Sequence, residues 1–316
     1  MKKIFFALCA VAALASCTNN ELVELNKEAI AFQNAFVDNG TKATDNFTIT
    51  KTNLESFSVW ATTQHGTNAV VPILAEEAVS STDNGVTWGY TTKQYWIEGN
   101  AYKFVALKNY DAITTLTDGL PTEFSYTYNT AAPKDVVAAA ASATGLASGN
   151  PAVSFTFDHL LAKAYFTLEN TMTTNTVGNV YTYELKGVQI TTPSSADCVF
   201  NGTKWVWENQ DTDTPTTLSF GDTPKVGAAG NAVTSNTAAT AHLLIPYNHT
   251  ALAVAFTINT YYNGSLVNVQ PYSNTIAKNI EQGNVYNFKL TLGAPGEEIK
   301  FSVDSVDEWV PAGGAL

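Results

Sequence analysis

Residues 252–259 read Leu-Ala-Val-Ala-Phe-Thr-Ile-Asn, with a larger apolar side chain at every second position. A period of two places alternate side chains on opposite faces, as in a β-strand with one buried face. The same period recurs at 153–157 and at 286–292. Two Asn-Gly pairs, at 201–202 and at 263–264, separate strand-like segments and favour turns with positive φ. The sequence therefore predicts an all-β protein.

Only one segment favours a helix. It runs from Lys134 to Ala141 and includes four consecutive alanines, the residue with the highest helix propensity. Elsewhere β-branched and turn-forming residues interrupt any period of 3.6 residues. We therefore expect one short helix in an otherwise all-β chain.

The composition excludes some classes of ligand. The chain has 316 residues, of which 45% are hydrophobic and only 14% charged, and its formal net charge is −12. All of its basic side chains are lysines, because the sequence contains no arginine. An acidic surface without guanidinium groups is a poor match for nucleic acid or for phosphate ligands. The length suits two domains of ordinary size.

The N-terminus has the pattern of an export signal. Two lysines, Lys2 and Lys3, precede an apolar run of eleven residues from Ile4 to Leu14. Because a membrane-spanning helix needs about 20 apolar residues, this run is typical of a signal peptide. The next residues, Ala15-Ser16-Cys17, complete a pattern that resembles a bacterial lipobox.

The lipobox predicts the fate of this N-terminal region. Residues 1–16 would be removed as the signal peptide, and Cys17 would carry the lipid. Residues 17–26 would then form a tether to the outer membrane. We expect a lipoprotein on the cell surface that lies on the membrane and does not span it.

A short sequence occurs twice. The residues at 99–104 read Gly-Asn-Ala-Tyr-Lys-Phe, and those at 283–288 read Gly-Asn-Val-Tyr-Asn-Phe. Between the two copies, the Gly-Asn-Pro at 149–151 offers a break in the chain. The repeat predicts two antiparallel β-sandwiches in tandem, the N-terminal one at 27–150 and the C-terminal one at 151–316.

The residues that could support catalysis or metal binding do not form a recognisable motif. None of the four histidines has the spacing to Glu of a zinc hydrolase, and there is no glycine-rich phosphate loop or nucleophile elbow. We therefore predict no catalytic residue, no metal site and no cofactor. His159 stands between two strand-like segments, and we expect backbone groups to satisfy its hydrogen bonds at a corner of a sandwich.

Trp205 and Trp207 stand two residues apart, so they share one face of a strand. They could stack on sugar rings, which would make the protein a surface glycan-binding lipoprotein. Packing in a core or at a domain interface is the competing interpretation.

Several segments together carry a likeness to a known family. In chain order they are Ala29–Phe32, Leu54–Val59, Tyr102–Ala106, Lys134–Ala139, Val153–Lys163, His242–Pro246, Gly283–Tyr286 and Ile299–Trp309. With this order and spacing, the chain resembles the fimbrillin family, the pilin-like lipoproteins of Bacteroides-type bacteria. The resemblance implies two transthyretin-like β-sandwiches and a structural subunit of a cell-surface fimbrium, or pilus, that contributes to adhesion.

The resemblance also implies how subunits join. In the family, a protease cuts after the first strand, and the C-terminal strand of a neighbouring subunit fills the vacated groove. Here the displaced strand would be 28–37, with Ile30, Phe32 and Phe36 directed inward. The cut would fall between Lys42 and Ala43, where relatives often have Thr-Arg, and Lys51 is the next candidate.

The implied donor segment lies at the other end of the chain. It runs from Ile299 to Val310, and the side chains that would fill the groove are Ile299, Phe301, Val303, Val306 and Trp309. Its other interpretation is the ordinary last strand of the second sandwich.

Several alternatives remain open at this stage. An uncut subunit would stay on the outer membrane through the Cys17 lipid, as a base or anchor would, whereas a cut subunit would belong to the shaft or tip. The implied partners are other pilus subunits, in a homopolymer or a heteropolymer, and glycans or proteins on host or bacterial surfaces. Nucleic acid is not among them.

Overall fold

The computed structural model describes residues 28–37, 47–83, 85–170, 181–223, 226–227, 234–237, 240–292 and 300–309. These residues form strands, turns and bends but no helix, so none of them belongs to a helix that could cross a membrane. The all-β class predicted from the alternating apolar residues is confirmed.

The described residues form twenty strands. The first seven are β1 (Phe32–Val37), β2 (Ser56–His65), β3 (Val71–Ser80), β4 (Asn100–Lys108), β5 (Ala112–Thr117), β6 (Leu120–Thr127) and β7 (Val137–Thr144). The next seven are β8 (Val153–His159), β9 (Ala162–Asn170), β10 (Tyr181–Thr192), β11 (Ser195–Phe200), β12 (Trp205–Glu208), β13 (Thr216–Gly221) and β14 (Val226–Gly227). The last six are β15 (Thr234–Thr237), β16 (His242–Leu244), β17 (Tyr247–Tyr262), β18 (Ser265–Ile280), β19 (Asn284–Leu292) and β20 (Lys300–Glu308).

These strands form four sheets. The first sheet has the order β1-β8-β7-β4-β2-β3, and within it only the β1–β8 pair is parallel. The second has the order β12-β11-β6-β5. The third has the order β13-β10-β17-β18, with β14 also on β10. The fourth has the order β15-β9-β19-β20, with β16 also on β9 and with a parallel β9–β19 pair.

The hairpin of β17 and β18 shows why the local sequence signals succeed. In β17 the side chains of Leu252, Val254 and Phe256 are buried while the alternating residues are largely exposed. The turn after β17 is Asn263-Gly264, and both residues have positive φ, 46° and 84°. Such a two-residue turn matches the twist of the strands that it joins.

The sheets do not divide at the boundary expected between residues 150 and 151. β8 follows that point, yet it pairs with β1 and β7 in the first sheet. β11 also pairs antiparallel with β6, which belongs to the first half of the chain. The pairing of distant strands, which a local Gly-Pro signal cannot report, therefore places the end of the first sheet after His159.

The helix expected from Lys134 to Ala141 does not form. Residues 137–144 are strand β7, which pairs along its whole length with β4 and at its start with β8. Val137, Ala138 and Ala139 are buried there. Helix propensity is a weak preference that tertiary context overrides, and here pairing with β4 and β8 makes the segment a strand that is buried on both faces at residues 137–139.

The first copy of the repeated sequence forms a turn followed by a strand. Gly99 has a positive φ of 76° and directly precedes β4. The Tyr102 hydroxyl accepts a hydrogen bond from the backbone N–H of Ile97 at 2.8 Å and donates one to the carbonyl oxygen of Tyr95 at 3.3 Å. The ring of Tyr102 stacks on that of Phe104, with 6.2 Å between centroids.

The second copy reproduces this geometry. Gly283 has a φ of 68° and precedes β19. The Tyr286 hydroxyl accepts from the N–H of Glu281 at 2.8 Å and donates to the carbonyl of Asn279 at 3.3 Å. Its ring stacks on Phe288 at 6.3 Å. In both copies the hydroxyl bonds to residues five and seven positions earlier, so the sequence repeat is also a structural repeat.

Two hydrophobic cores follow from this arrangement. One covers a face of the first sheet and includes residues of β1, β2, β4 and β8 together with the segment 88–96. The other lies between the third and fourth sheets, where Phe166 of β9 faces Phe256 of β17 at 6.5 Å between ring centroids. This second core extends to the second sheet and the opposite face of the first, through side chains such as Trp60 and Phe124.

Candidate strand-exchange site

The start of the described chain lies in a groove, which we call the β1 groove. Its walls are β8 on one side and the segment 88–96 on the other. On the 88–96 side, the N–H of Ile30 donates to the carbonyl of Gln94 at 2.8 Å, and the N–H of Trp96 donates to the carbonyl of Glu28 at 3.0 Å. Residues 28–33 are therefore held by main-chain hydrogen bonds as an added strand would be.

The other wall of the groove is β8. The N–H of Val153 donates to the carbonyl of Ala31 at 2.7 Å, and Phe32 is in parallel register with Val153. The register shifts between Gln33 and Phe36. The Tyr90 hydroxyl adds a hydrogen bond to the carbonyl of Ile30 at 2.8 Å.

Two of the predicted inward residues fill the groove. Ile30 is 1% exposed and Phe32 is 4% exposed. The Phe32 ring stacks on Phe155 at 5.8 Å and meets the edges of Tyr90 at 5.2 Å and Phe104 at 6.2 Å. Full burial of side chains of this size contributes about 1.5–3 kcal/mol each, so the first strand completes the core that it contacts.

The Glu28 carboxylate lies at the N-terminal end of the strand in the β1 groove. Glu28 Oε2 accepts hydrogen bonds from the backbone N–H and the side-chain Nδ2 of Asn150, at 2.8 and 3.0 Å. These bonds lower the pKa of Glu28, the backbone bond most, because they favour the charged carboxylate.

Other predicted positions of the N-terminal region can be placed only in part. The backbone of Phe36 pairs with Thr156 of β8, whereas its side chain lies outside the described part of the structure. Cys17, Lys42 and Ala43 lie outside the described residues, so the lipid site and the cleavage site stay predictions.

The predicted donor segment is present as β20, at the edge of the fourth sheet. It pairs antiparallel with β19 of the same chain, with a register shift opposite Asn287 and Phe288. Phe301 is 9% exposed and stacks on Phe166 and Phe288, both at 6.0 Å.

The other predicted donor residues differ in burial. Val303 packs partly buried against the same core as Phe301, whereas Val306 is 44% exposed and does not face that core. Ile299 lies outside the described residues. β20 is therefore the last strand of the fourth sheet in this structure, as the second interpretation of the segment expected.

The end of β20 leads into a buried polar group, which we call the Trp309 cluster: Asp135, His159, Lys163 and Trp309. The rings of Trp309 and His159 stack with 4.0 Å between centroids and 2° between planes. His159 Nδ1 bonds Asp135 Oδ2 at 2.8 Å, and the same oxygen accepts the N–H of Ile49 at 2.9 Å. His159 thus has a carboxylate partner and a stacked indole ring in the structure, where the sequence predicted backbone partners.

Lys163 connects this cluster to the segment after residue 46. Its ammonium group donates to Thr48 Oγ1 at 3.2 Å and lies 5.8 Å from the ring centroids of both Phe47 and Trp309. Lys163 is 2% exposed and Asp135 is fully buried. Sequence reasoning did not bring this cluster together. Asp135 lies 24 positions before His159, and Trp309 lies near the other end of the chain, so the four residues form no motif.

Trp205 and Trp207 pack against the interior. Trp205 is 7% exposed and lies 5.2 Å from Phe124 between ring centroids, while Trp207 lies 6.0 Å from the same ring. The Trp207 indole N–H donates to the carbonyl of Leu160 at 2.5 Å. Trp205 is therefore a core residue, and Trp207 packs partly buried against the same core, as the core-packing interpretation expects.

Among the described residues, no group of three or more His, Cys, Asp or Glu side chains lies close enough to hold a metal ion. Cys198 is buried, and burial raises the pKa of its thiol well above the usual range. Its environment is that of a small core residue.

The described residues thus form an all-β protein in which the first strand fills a groove beside the first sheet. A family model described as fimbrillin-like matches residues 41–309. The protein therefore belongs to the fimbrillin-like family.

The comparison with solved structures gives the same fold. A fimbrial protein from Bacteroides vulgatus ATCC 8482 is similar, with a TM-score of 0.66 and 14% identity over 89% of this chain and 99% of that chain. A candidate cell adhesion protein from Bacteroides ovatus ATCC 8483 has a TM-score of 0.53 and 15% identity over 91% and 99% of the two chains. No curated protein sequence matches the chain.

Proposed function

We propose that this protein is a structural, non-catalytic subunit of a cell-surface pilus that contributes to adhesion and joins its neighbours by strand exchange. The single observation that carries the proposal is the β1 groove. There Ile30 and Phe32, from the N-terminal strand of the same chain, fill the core beside the first sheet. Membership of the fimbrillin-like family supports the same role.

Removal of the first strand would leave a site that another strand must fill. Tyr90, Phe104 and Phe155 would lose the ring that they surround, and the main-chain groups of Gln94 and Trp96 would lose their partners. An open groove of this kind is an aggregation hazard until it is filled. A self-strand that occupies it before assembly removes that hazard.

The proposed route begins with export as a lipoprotein. Residues 1–16 are removed, Cys17 is acylated, and the subunit reaches the outer membrane surface with β1 in place. A trypsin-like protease then cuts between Lys42 and Ala43, which separates β1 from the rest of the chain. A subunit that is not cut stays anchored, as a base subunit would.

β20 is the proposed donor. It has one neighbour in the sheet, β19, and its other edge is unpaired among the described strands. Its departure would expose Phe301 and Trp309, at a cost of about 1.5–3 kcal/mol for each side chain. The donor therefore leaves its own sheet only where a groove of similar depth receives it.

The proposal is tested with the full-length chain and with chain cut by trypsin under native conditions. Size-exclusion chromatography and negative-stain electron microscopy report polymer formation. We expect the uncut chain to stay monomeric and the cut chain to polymerise, and we expect Lys42→Gln to prevent both the cut and the polymer. Cut chain that stays monomeric at high concentration, both alone and with other pilus subunits, would contradict strand exchange.

A further inference from the structure

The two ends of the chain carry the same short pattern. Residues 28–32 read Glu-Ala-Ile-Ala-Phe, and residues 297–301 read Glu-Glu-Ile-Lys-Phe. Glu, Ile and Phe therefore recur with the same spacing. This correspondence is independent of the repeat that contains Tyr102 and Tyr286, because it involves other strands.

The described residues of the two strands also alternate in the same way. Phe32 and Phe301 are both buried. The residues before and after them are exposed in both strands: Ala31 and Gln33 in the first, Lys300 and Ser302 in the second. A donor placed with Phe301 at the position of Phe32 would thus keep Lys300 and Ser302 on the outer face.

The surroundings of the two phenylalanines correspond as well. Phe32 stacks on Phe155 with 19° between ring planes, and Phe301 stacks on Phe166 with 12° and on Phe288 with 20°. Each strand also departs from regular pairing two to four residues after its phenylalanine. Each phenylalanine is therefore adapted to a site lined by aromatic faces.

We propose, on the basis of the strand-exchange function above, that the partner for the β1 groove is a second copy of this chain in one defined register. Phe301 of the incoming copy takes the place of Phe32, Lys300 that of Ala31 and Ser302 that of Gln33. The donor runs parallel to β8, as β1 does. The chain is thus complementary to itself and forms a homopolymer.

Other registers fit the groove less well. A shift by one residue would place Lys300 or Ser302 among the aromatic and aliphatic side chains of this core, where a charge or a hydroxyl loses its contact with water. A shift by two would place Val303 or Ile299 in the Phe32 site, and either side chain, being smaller than Phe, would leave space between aromatic rings, which costs stability in proportion to the cavity. Only the proposed register matches volume and polarity together.

Disulfide trapping tests the register directly. Gln33 pairs with Ser154 of β8, so the proposed register brings Ser302 of the donor next to Ser154 of the acceptor. Both serines are exposed, and paired positions on neighbouring strands lie within the Cα separation that a disulfide spans. Full-length chains that carry Ser302→Cys and Ser154→Cys are cut, mixed and oxidised, and the cross-linked dimer is measured on non-reducing gels.

Matched acceptors distinguish the alternatives. Ala152→Cys, just before β8, and Thr156→Cys, within β8, lie two residues to either side of Ser154 and report shifted registers. We expect the cross-link to Ser154→Cys to exceed either of these by about tenfold, which corresponds to a register preference of about 1.4 kcal/mol. Each single variant is first shown to polymerise as the wild type does.

The outcomes separate this inference from the proposed function. A dominant cross-link at Thr156→Cys or Ala152→Cys would overturn the register while strand exchange stands. Polymers without a cross-link at any of the three positions would overturn the choice of donor and groove in this chain. Failure of cut wild-type chain to polymerise both alone and with other pilus subunits would overturn the proposed function, whereas polymerisation only when another subunit is present would overturn self-complementarity alone.

Discussion

Truncation of Phe32 to alanine in the uncut chain tests whether the first strand completes the core. The side chain is 4% exposed and contacts three aromatic rings within 6.2 Å between centroids. Phe→Ala substitutions in cores cost about 3–5 kcal/mol, and aromatic pairs add about 0.5–1.5 kcal/mol each beyond burial. Since these contributions overlap, we expect the free energy of unfolding to fall by about 4 kcal/mol.

Urea-induced unfolding provides the assay for Phe32→Ala. Trp88 and Trp96 lie in the same core, so tryptophan fluorescence reports that region directly. The control is Gln33→Ala, an exposed neighbour on the same strand, which we expect to change stability by less than about 0.5 kcal/mol. A loss for Phe32→Ala below about 1 kcal/mol, or equal to that of the control, would refute the conclusion that β1 fills the groove.

The same substitution has a consequence after cleavage. Once the chain is cut, only non-covalent contacts hold β1, so a loss of about 4 kcal/mol corresponds to an increase of about a thousandfold in its dissociation constant. Mass spectrometry of the fragments separated by size would measure that release. Release at wild-type levels from cut Phe32→Ala would contradict the role of this ring.

Three further predictions concern the remainder of the structure. Tyr102→Phe and Tyr286→Phe each remove one hydroxyl whose backbone partners lie five and seven positions earlier. We expect each to lower the free energy of unfolding in urea by about 1 kcal/mol. A twofold or greater difference between the two losses would contradict their equivalence. Asp135→Asn breaks the buried pair with a histidine, and we expect a loss of about 3–5 kcal/mol, against little change for the surface substitution Asp118→Asn. Burial lowers the pKa of His249 from 6.5 to about 4, so the unfolded chain binds a proton first as pH falls. Stability should therefore decrease between about pH 6.5 and pH 4, and His249→Gln should reduce that decrease in urea titrations at each pH.

The parts of the fold that sequence could predict are those decided locally. Alternation at Leu252, Val254 and Phe256 gives β17 because one buried face fixes the register of a strand. The Asn263-Gly264 turn follows from the requirement for positive φ. By contrast, the alanines of β7 have a local preference for helix, and only the neighbouring β4 makes them a strand.

The candidate site divides in the same way. The resemblance to the fimbrillin family implies that Ile30 and Phe32 face inward, and both side chains are buried. The Trp309 cluster was not expected, since Asp135 lies 24 positions before His159 and Trp309 lies near the other end of the chain. Its members meet only because β8 and β20 end at the same place, which is a property of the topology.

The Glu-x-Ile-x-Phe pattern that the first strand shares with the proposed donor has a thermodynamic consequence within the proposed function. If both strands present Ile and Phe to the same groove, the free energy gained by side-chain burial is similar for the two. Before the cut, β1 competes as part of the same chain, with an effective concentration in the millimolar range. After the cut it competes at its own concentration, and each tenfold dilution removes about 1.4 kcal/mol of its advantage. Cleavage therefore provides the driving force for exchange without any change in the groove, because it converts an intramolecular competitor into a free peptide that diffuses away.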